Sequence, residues 1–121
     1  MIVDGGGKVL AKAYNRREGK KDATWHAEVA AVRRACRKVK NFRLVDASIF
    51  VTLEPCPMCA GAIVNARIKN VYYGAKSDRV DSEANDKIFN SDALNHKCNV
   101  EGGILEGECA AVLKKFFVDK R

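Results

Sequence analysis

Two short motifs constrain this chain more than any other feature, because each opens a helix and together they carry one set of ligands: Trp25-His26-Ala27-Glu28 and Glu54-Pro55-Cys56-Pro57-Met58-Cys59. After His26, Val29, Val32, Cys36 and Val39 recur at helical spacing while Arg33, Arg34, Arg37 and Lys38 fill other positions, which predicts an amphipathic helix with a basic outer face. After Cys56, Pro57 suits a first helical position, where its missing N–H is no loss, and Ala60 to Ala66 carry the helix on. Cys56 and Cys59 then share one face of a first turn, where the helix dipole and unpaired N–H groups favour thiolates over thiols.

One imidazole, His26, and two thiolates, Cys56 and Cys59, are three ligands for one Zn²⁺ per subunit. The fourth tetrahedral position stays open to water, as a catalytic site requires. Such an ion lowers the pKa of water to about 7, so a nucleophile for an amidine-like ring carbon exists at neutral pH. Glu28, two residues beyond His26, reaches that water while His26 reaches the metal; it is the expected carrier of the proton to a ring nitrogen and then to the departing amino group. Other readings of the cysteines fit less well. A structural zinc ribbon needs a fourth protein ligand at close spacing, and Cys36, Cys98 and Cys109 have no such partner. A redox C-x-x-C lacks its thioredoxin-like surroundings and leaves His26 and Glu28 unexplained.

The rest of the chain alternates strands and helices. Ile2 and Val3, the turn Asp4-Gly5-Gly6-Gly7, and then Val9, Leu10 and Ala13 predict a hairpin, followed by a polar loop from Asn15 to about Asp22. Ser48 to Leu53, apolar and stopped by Pro55, reads as a buried strand, and Val71 to Tyr73, ending at Gly74, as another. Ala75 to His96 has the weakest pattern and is expected to be a long loop with one helical turn, anchored by Ile88, Phe89 and Leu94. A last strand around Cys98 to Val100 and a closing helix from about Glu106 to Val118 complete a sheet covered by helices. At 121 residues the chain suffices for one domain, residues 1–121, and is too short for two.

Composition narrows the partners. A net charge of +7 favours polyanions, nucleic acid first, although the same excess also serves solubility alone. An odd number of cysteines, five, with no charged stretch leading into an apolar one, argues against secretion and for a reducing cytoplasm. Charged or polar residues interrupt every hydrophobic stretch short of the roughly 18 residues a membrane span needs.

The pair H-x-E and P-C-x-x-C is a general signature of zinc nucleobase deaminases. Beyond it, Val51 to Ile63, Asn65 to Ile68, Val71 to Ala75, Asn95-His96, Gly102 to Leu105, Glu108-Cys109 and Phe116-Phe117 resemble the bacterial tRNA-specific adenosine deaminases of the cytidine-deaminase-like superfamily, and the resemblance runs from Ile2 to Arg121. It implies a three-layer α/β/α fold with a central mixed sheet of about five strands, a homodimer, and a hydrolase that converts the wobble adenosine of a tRNA anticodon stem-loop to inosine. By position, Asn15 matches the family asparagine that hydrogen-bonds the flipped base, and a carboxamide can both donate to and accept from a purine. The backbone N–H groups of Ala27 and Cys56 are expected to line the same pocket.

Several features depart from that family. The usual N-terminal helix and the opening half of the first strand are missing, so an uncovered sheet face or a shortened edge strand is expected. Asp78, Asp81, Glu83 and Asp86 follow Gly74-Ala75, and would repel phosphate if that segment touched RNA. Trp25 stands where a small residue is usual; it reads better as a hydrophobic anchor than as a surface for base stacking. His96 is read as structural or as part of a subunit contact, and Cys36, Cys98 and Cys109 as small buried hydrophobes. Two other functions stay open: deamination of a free base or nucleoside of the guanine or cytosine type, and an inactive zinc-binding, RNA-associated subunit. Against the last stands Glu28, since a purely structural site needs no proton shuttle.

Overall fold

The computed structural model describes residues 1–14, 22–94 and 96–111. Among them, five strands form one mixed sheet in the order β2-β1-β3-β4-β5: β1 Ile2–Val3, β2 Val9–Ala11, β3 Ser48–Leu53, β4 Asn70–Ala75 and β5 Asn99–Glu101. β1 is antiparallel to β2 and β3, while β3, β4 and β5 run parallel. The opening hairpin is as predicted. The Asp4 carboxylate accepts from the Gly6 and Lys8 N–H groups, and Gly7 turns the chain at φ 90°, a conformation glycine adopts without penalty.

Three helices follow, α1 Ala27–Val39, α2 Pro57–Asn65 and α3 Ser82–Phe89, and residues 106–111 are also helical. α2 is the crossover that parallel pairing of β3 with β4 requires. Ile2, Ile49, Ile63, Val64, Ile68 and Val71 are fully buried together, so α2 lies on the sheet face that carries Ile49 and Val71. Each such side chain contributes about 1.5–3 kcal/mol by leaving water.

α1 buries a different stripe from the expected one. Ala30, Ala31 and Ala35 face the core, Val32 and Cys36 pack at its margin, and Val39 is exposed. Small side chains let the helix lie close to the sheet, an advantage that a pattern of valines does not register. The basic outer face is present but partly occupied: Arg34 donates to the Lys12 carbonyl at 2.7 Å and Lys38 to the Val9 carbonyl at 3.4 Å, tying the helix to the edge strand β2.

The segment expected to be a loop with one helical turn contains α3, a helix of 8 residues. Asp81 is its N-cap, accepting from the Glu83 and Ala84 N–H groups, and Phe89 anchors its far end at 2% exposure. Its inward face is half polar, since Asn85 is as buried as Phe89, which hid the periodicity. β4 is longer than expected, and β5 begins one residue late, at Asn99.

β3 is covered on one face. Ile49 is buried there, whereas on the other face Phe50 and Thr52 are exposed, Phe50 stacking on Tyr72 with ring centroids 5.0 Å apart. The helical residues 106–111 belong to this second face, where Cys109 sits against Gly74 of β4. The sheet thus lies between two helical layers, the α/β/α arrangement expected. The part of the expected closing helix beyond residue 111 lies outside the described residues.

A methyl group at Gly74 would collide with the Cys109 side chain and stand 3.0 Å from the Thr52 carbonyl. Gly74→Ala should therefore destabilise the fold by about 1–3 kcal/mol, the usual cost of overpacking, read as a lower urea midpoint at unchanged slope.

Candidate metal centre and active site

The sequence builds the site from two helix starts. His26 is the N-cap of α1 and Cys56 the N-cap of α2, and neither side chain caps its own helix. Both turn instead toward a common point: His26 Nδ1 lies 3.6 Å from Cys56 Sγ and 3.6 Å from Cys59 Sγ, and the two sulfurs are 3.6 Å apart. Cys59, one turn into α2, is fully buried, while His26 and Cys56 are partly open.

Local turns aim each ligand. Ahead of α1, the Asp22 carboxylate accepts from the Thr24 hydroxyl at 2.6 Å and the Thr24 N–H at 2.9 Å, and His26 N–H donates to the Thr24 carbonyl at 2.8 Å. Those two Thr24 hydrogen bonds hold the Asp22 carboxyl below the usual carboxylate range. Ahead of α2, Glu54 N–H donates to the Ala75 carbonyl at 2.8 Å, and Pro57 occupies the first helical turn. The site therefore sits at the C-terminal end of β3, where ligands collect in open parallel sheets.

These three atoms suit a tetrahedral divalent ion. With metal–sulfur bonds of about 2.3 Å and metal–nitrogen bonds near 2.05 Å, tetrahedral angles put ligand atoms about 3.5–3.8 Å apart. The triad meets that spacing without rearrangement. Burial, and next the Glu28 carboxylate, push the Cys59 thiol well above its ordinary pKa, so without an ion it keeps its proton. A coordinated cation reverses this, because a coordinating thiol is deprotonated outright. The Glu28 carboxylate lies beside Cys59 and is not a member of the ligand group. Glu28 is the second residue of α1, two positions beyond His26.

The other expected residues fall out variously. Asn15 lies outside the described residues. Ala27 is the first residue of α1, where a helix leaves its N–H groups without intrahelical partners. Trp25 is partly buried at the helix start with the Arg33 guanidinium 5.4 Å from its ring centroid, which suits an anchor. His96 Nε2 lies 2.7 Å from the Ile68 carbonyl, which also accepts from Cys98 Sγ at 3.1 Å; both are structural contacts far from the triad. Cys98 is buried, its thiol pushed up to about 11, whereas Cys36 and Cys109 are only half-buried. A cleft of about 620 Å³ lined by Arg43, Asp46, Arg67, Lys69 and His96 lies at the opposite ends of β3 and β4 from the ligands.

One residue of the site motif has a structural role that its sequence context does not announce. Glu54 is 5% exposed, an acid closing an apolar strand, and its carboxylate accepts from Ser82 Oγ at 2.6 Å and Ser77 N–H at 3.3 Å. Its place directly after an apolar strand, at the head of the motif that carries the cysteines, is the available clue. The acidic residues Asp78, Asp81, Glu83 and Asp86 are all exposed.

Comparison with known proteins agrees with this geometry. The profile of the MafB19-like deaminase family matches residues 1–121. The chain is 41% identical over 122 residues to the tRNA-specific adenosine deaminase of Agrobacterium fabrum, a match covering 100% of this chain and 79% of that one. To the protein of the same name from Rickettsia bellii it is 41% identical over 111 residues, covering 91% and 77%. A solved structure from a study of A-to-I editing by tRNA:A34 deaminases at the wobble position of transfer RNA superposes with a TM-score of 0.83 at 39% identity, covering 92% of this chain and 80% of that chain.

Metal binding at the triad should stabilise the fold by mass action, about 2.7 kcal/mol when free ion is at a hundredfold its Kd. Thermal unfolding of metal-stripped protein with and without added Zn²⁺ measures this. Cys59→Ala should abolish the rise in Tm, and in the parent the rise should shrink as pH falls, because protons compete for the thiolates.

Proposed function

Because this chain belongs to the MafB19-like deaminase family, we propose that it is a zinc-dependent hydrolytic deaminase acting on adenosine in tRNA, at the wobble position of the anticodon. The observation that carries the reading is the equilateral triad of His26, Cys56 and Cys59, with the Glu28 carboxylate close enough to act on Cys59. Its relatives from Agrobacterium fabrum and Rickettsia bellii, both named tRNA-specific adenosine deaminases, supply the substrate. Among the described residues no helix is long and apolar enough to cross a membrane.

His26, Cys56 and Cys59 would hold Zn²⁺, which when bound would supply a water-derived nucleophile at neutral pH. Glu28 takes the proton released from that water and delivers it to the purine ring nitrogen next to the attacked carbon. Glu28 then takes the proton of the hydroxyl now bonded to the ring carbon and passes it to the amino group, which leaves as ammonia as the C–N bond breaks and the carbonyl forms. Water and adenosine thus become inosine and ammonia, with the carboxylate returned to its starting state. Ala27 and Cys56, at the two helix starts, orient the base through their backbone N–H groups, and Asn15 recognises it with a carboxamide that both donates and accepts. The net charge of +7 favours the phosphates that flank the base. The homodimer rests on the family resemblance, and a reducing cytoplasm on five cysteines that are all free.

Zinc-loaded protein incubated with an unmodified anticodon stem-loop should yield inosine, detected by mass spectrometry of the digested product. Glu28→Ala should lower turnover by about 10²–10⁴-fold while retaining zinc and the same Tm. Ammonia release from free guanine or cytosine, with no inosine from any tRNA, would replace this reading with the free-base one. Equal activity of Glu28→Ala and parent would end the proton-shuttle role.

A further inference from the structure

The turn that presents Cys56 is poorly equipped to hold itself. Pro55 and Pro57 flank the ligand, and neither has an N–H to donate, so the backbone hydrogen bonds that would normally fix such a turn are fewer on both sides of the sulfur. What fixes it comes from α3, some thirty residues on in the sequence. Asn85 is 2% exposed, and its Nδ2 donates to the Pro55 carbonyl at 2.6 Å. Ser82 Oγ donates at 2.6 Å to the buried carboxylate of Glu54, which also takes the Ser77 N–H at 3.3 Å. Two side chains three residues apart, on one face of a helix, thus grip the two residues that immediately precede the ligand.

From this geometry we infer that α3 is a brace for the metal site: Ser82, through Glu54, and Asn85, through Pro55, are positioning residues that set the direction of the Cys56 sulfur. The exposed acids of the same segment then have an account that needs no contact with RNA. Asp81 caps the helix that carries the brace, Glu83 and Asp86 are exposed on that helix, and Asp78 is exposed in the turn ahead of it. Asp81 makes no contact with Glu54 or Pro55 among the hydrogen bonds of the described residues, so it separates the stability of α3 from its grip on the turn.

The inference rests on the metal-site reading, and zinc affinity by chelator competition, with the visible spectrum of the Co²⁺-substituted protein, tests the two separately without any measure of turnover. Ser82→Ala and Asn85→Ala should each weaken zinc binding by about tenfold or more, in the range typical of groups that orient metal ligands, and should alter the Co²⁺ ligand-field bands. Ser82→Thr, which keeps the hydroxyl on Glu54, should bind zinc as the parent does. Asp81→Ala should lower Tm and leave zinc affinity and the Co²⁺ spectrum unchanged. If Asn85→Ala fails to fold, the Ser82 pair decides. Parent-like affinity and spectra in Ser82→Ala would overturn the brace alone, as would an Asp81→Ala protein that loses zinc to the same extent. A parent protein that binds no zinc would overturn the metal site and the brace with it.

Discussion

Everything else in the structure serves the meeting of two helix N-termini. A helix start normally satisfies its first N–H groups with its own N-cap side chain. His26 and Cys56 occupy both N-cap positions and decline that role, each side chain crossing to the other helix. Two sets of unsatisfied N–H groups and two positive dipole ends therefore point into the same small volume. Such a region attracts thiolates and a developing oxyanion, and it tolerates a cation only because two of its three ligands lose protons. Burial of Cys59 works in the opposite sense and raises its thiol above its ordinary pKa, so an ion bound there would have to displace a proton.

The sheet exists, in functional terms, to bring those two starts together. β3 delivers Cys56 at its C-terminal end, and the parallel partner β4 forces α2 to cross back over the core face. α1 reaches the same end by lying close on β1 and β2 through an alanine stripe, with Lys38 fastened to the Val9 carbonyl of β2 and Arg34 to the Lys12 carbonyl just beyond it. α3 adds a third support from the β4 side. Ser82 and Asn85 of α3 contact Glu54 and Pro55, the two residues just ahead of Cys56, while exposed Asp81 caps the helix that carries them.

How far these features were legible depends on whether their causes are local. The opening turn, the helix start at Pro57 and the placement of His26 and Cys56 at helix ends follow from a few adjacent residues, and all are found as expected. α3 was missed because its inward face alternates Phe89 with Asn85, and a polar residue buried for a hydrogen bond looks like a surface residue in a hydropathy pattern. The core face of α1 was misjudged for a related reason: alanine scores as nearly neutral, yet Ala31 and Ala35 are the residues that let the helix approach. The structural role of Glu54 was not legible since its partners, Ser77 and Ser82, lie more than twenty residues away.

By itself the sequence determined which atoms are available: an imidazole, two sulfurs one helical turn apart, and a carboxylate two residues beyond the imidazole. Spacing within a single turn is a matter of backbone geometry and needs no knowledge of the fold. Only the tertiary structure decided that a nitrogen thirty residues from the first sulfur would stand 3.6 Å from both, that Cys59 would be buried, and that Glu54 and Pro55 would be held by a helix no pattern announced. Those outcomes depend on strand order and on how closely helices pack on a sheet, and such non-local terms are summed over the whole core rather than written in any short stretch of chain.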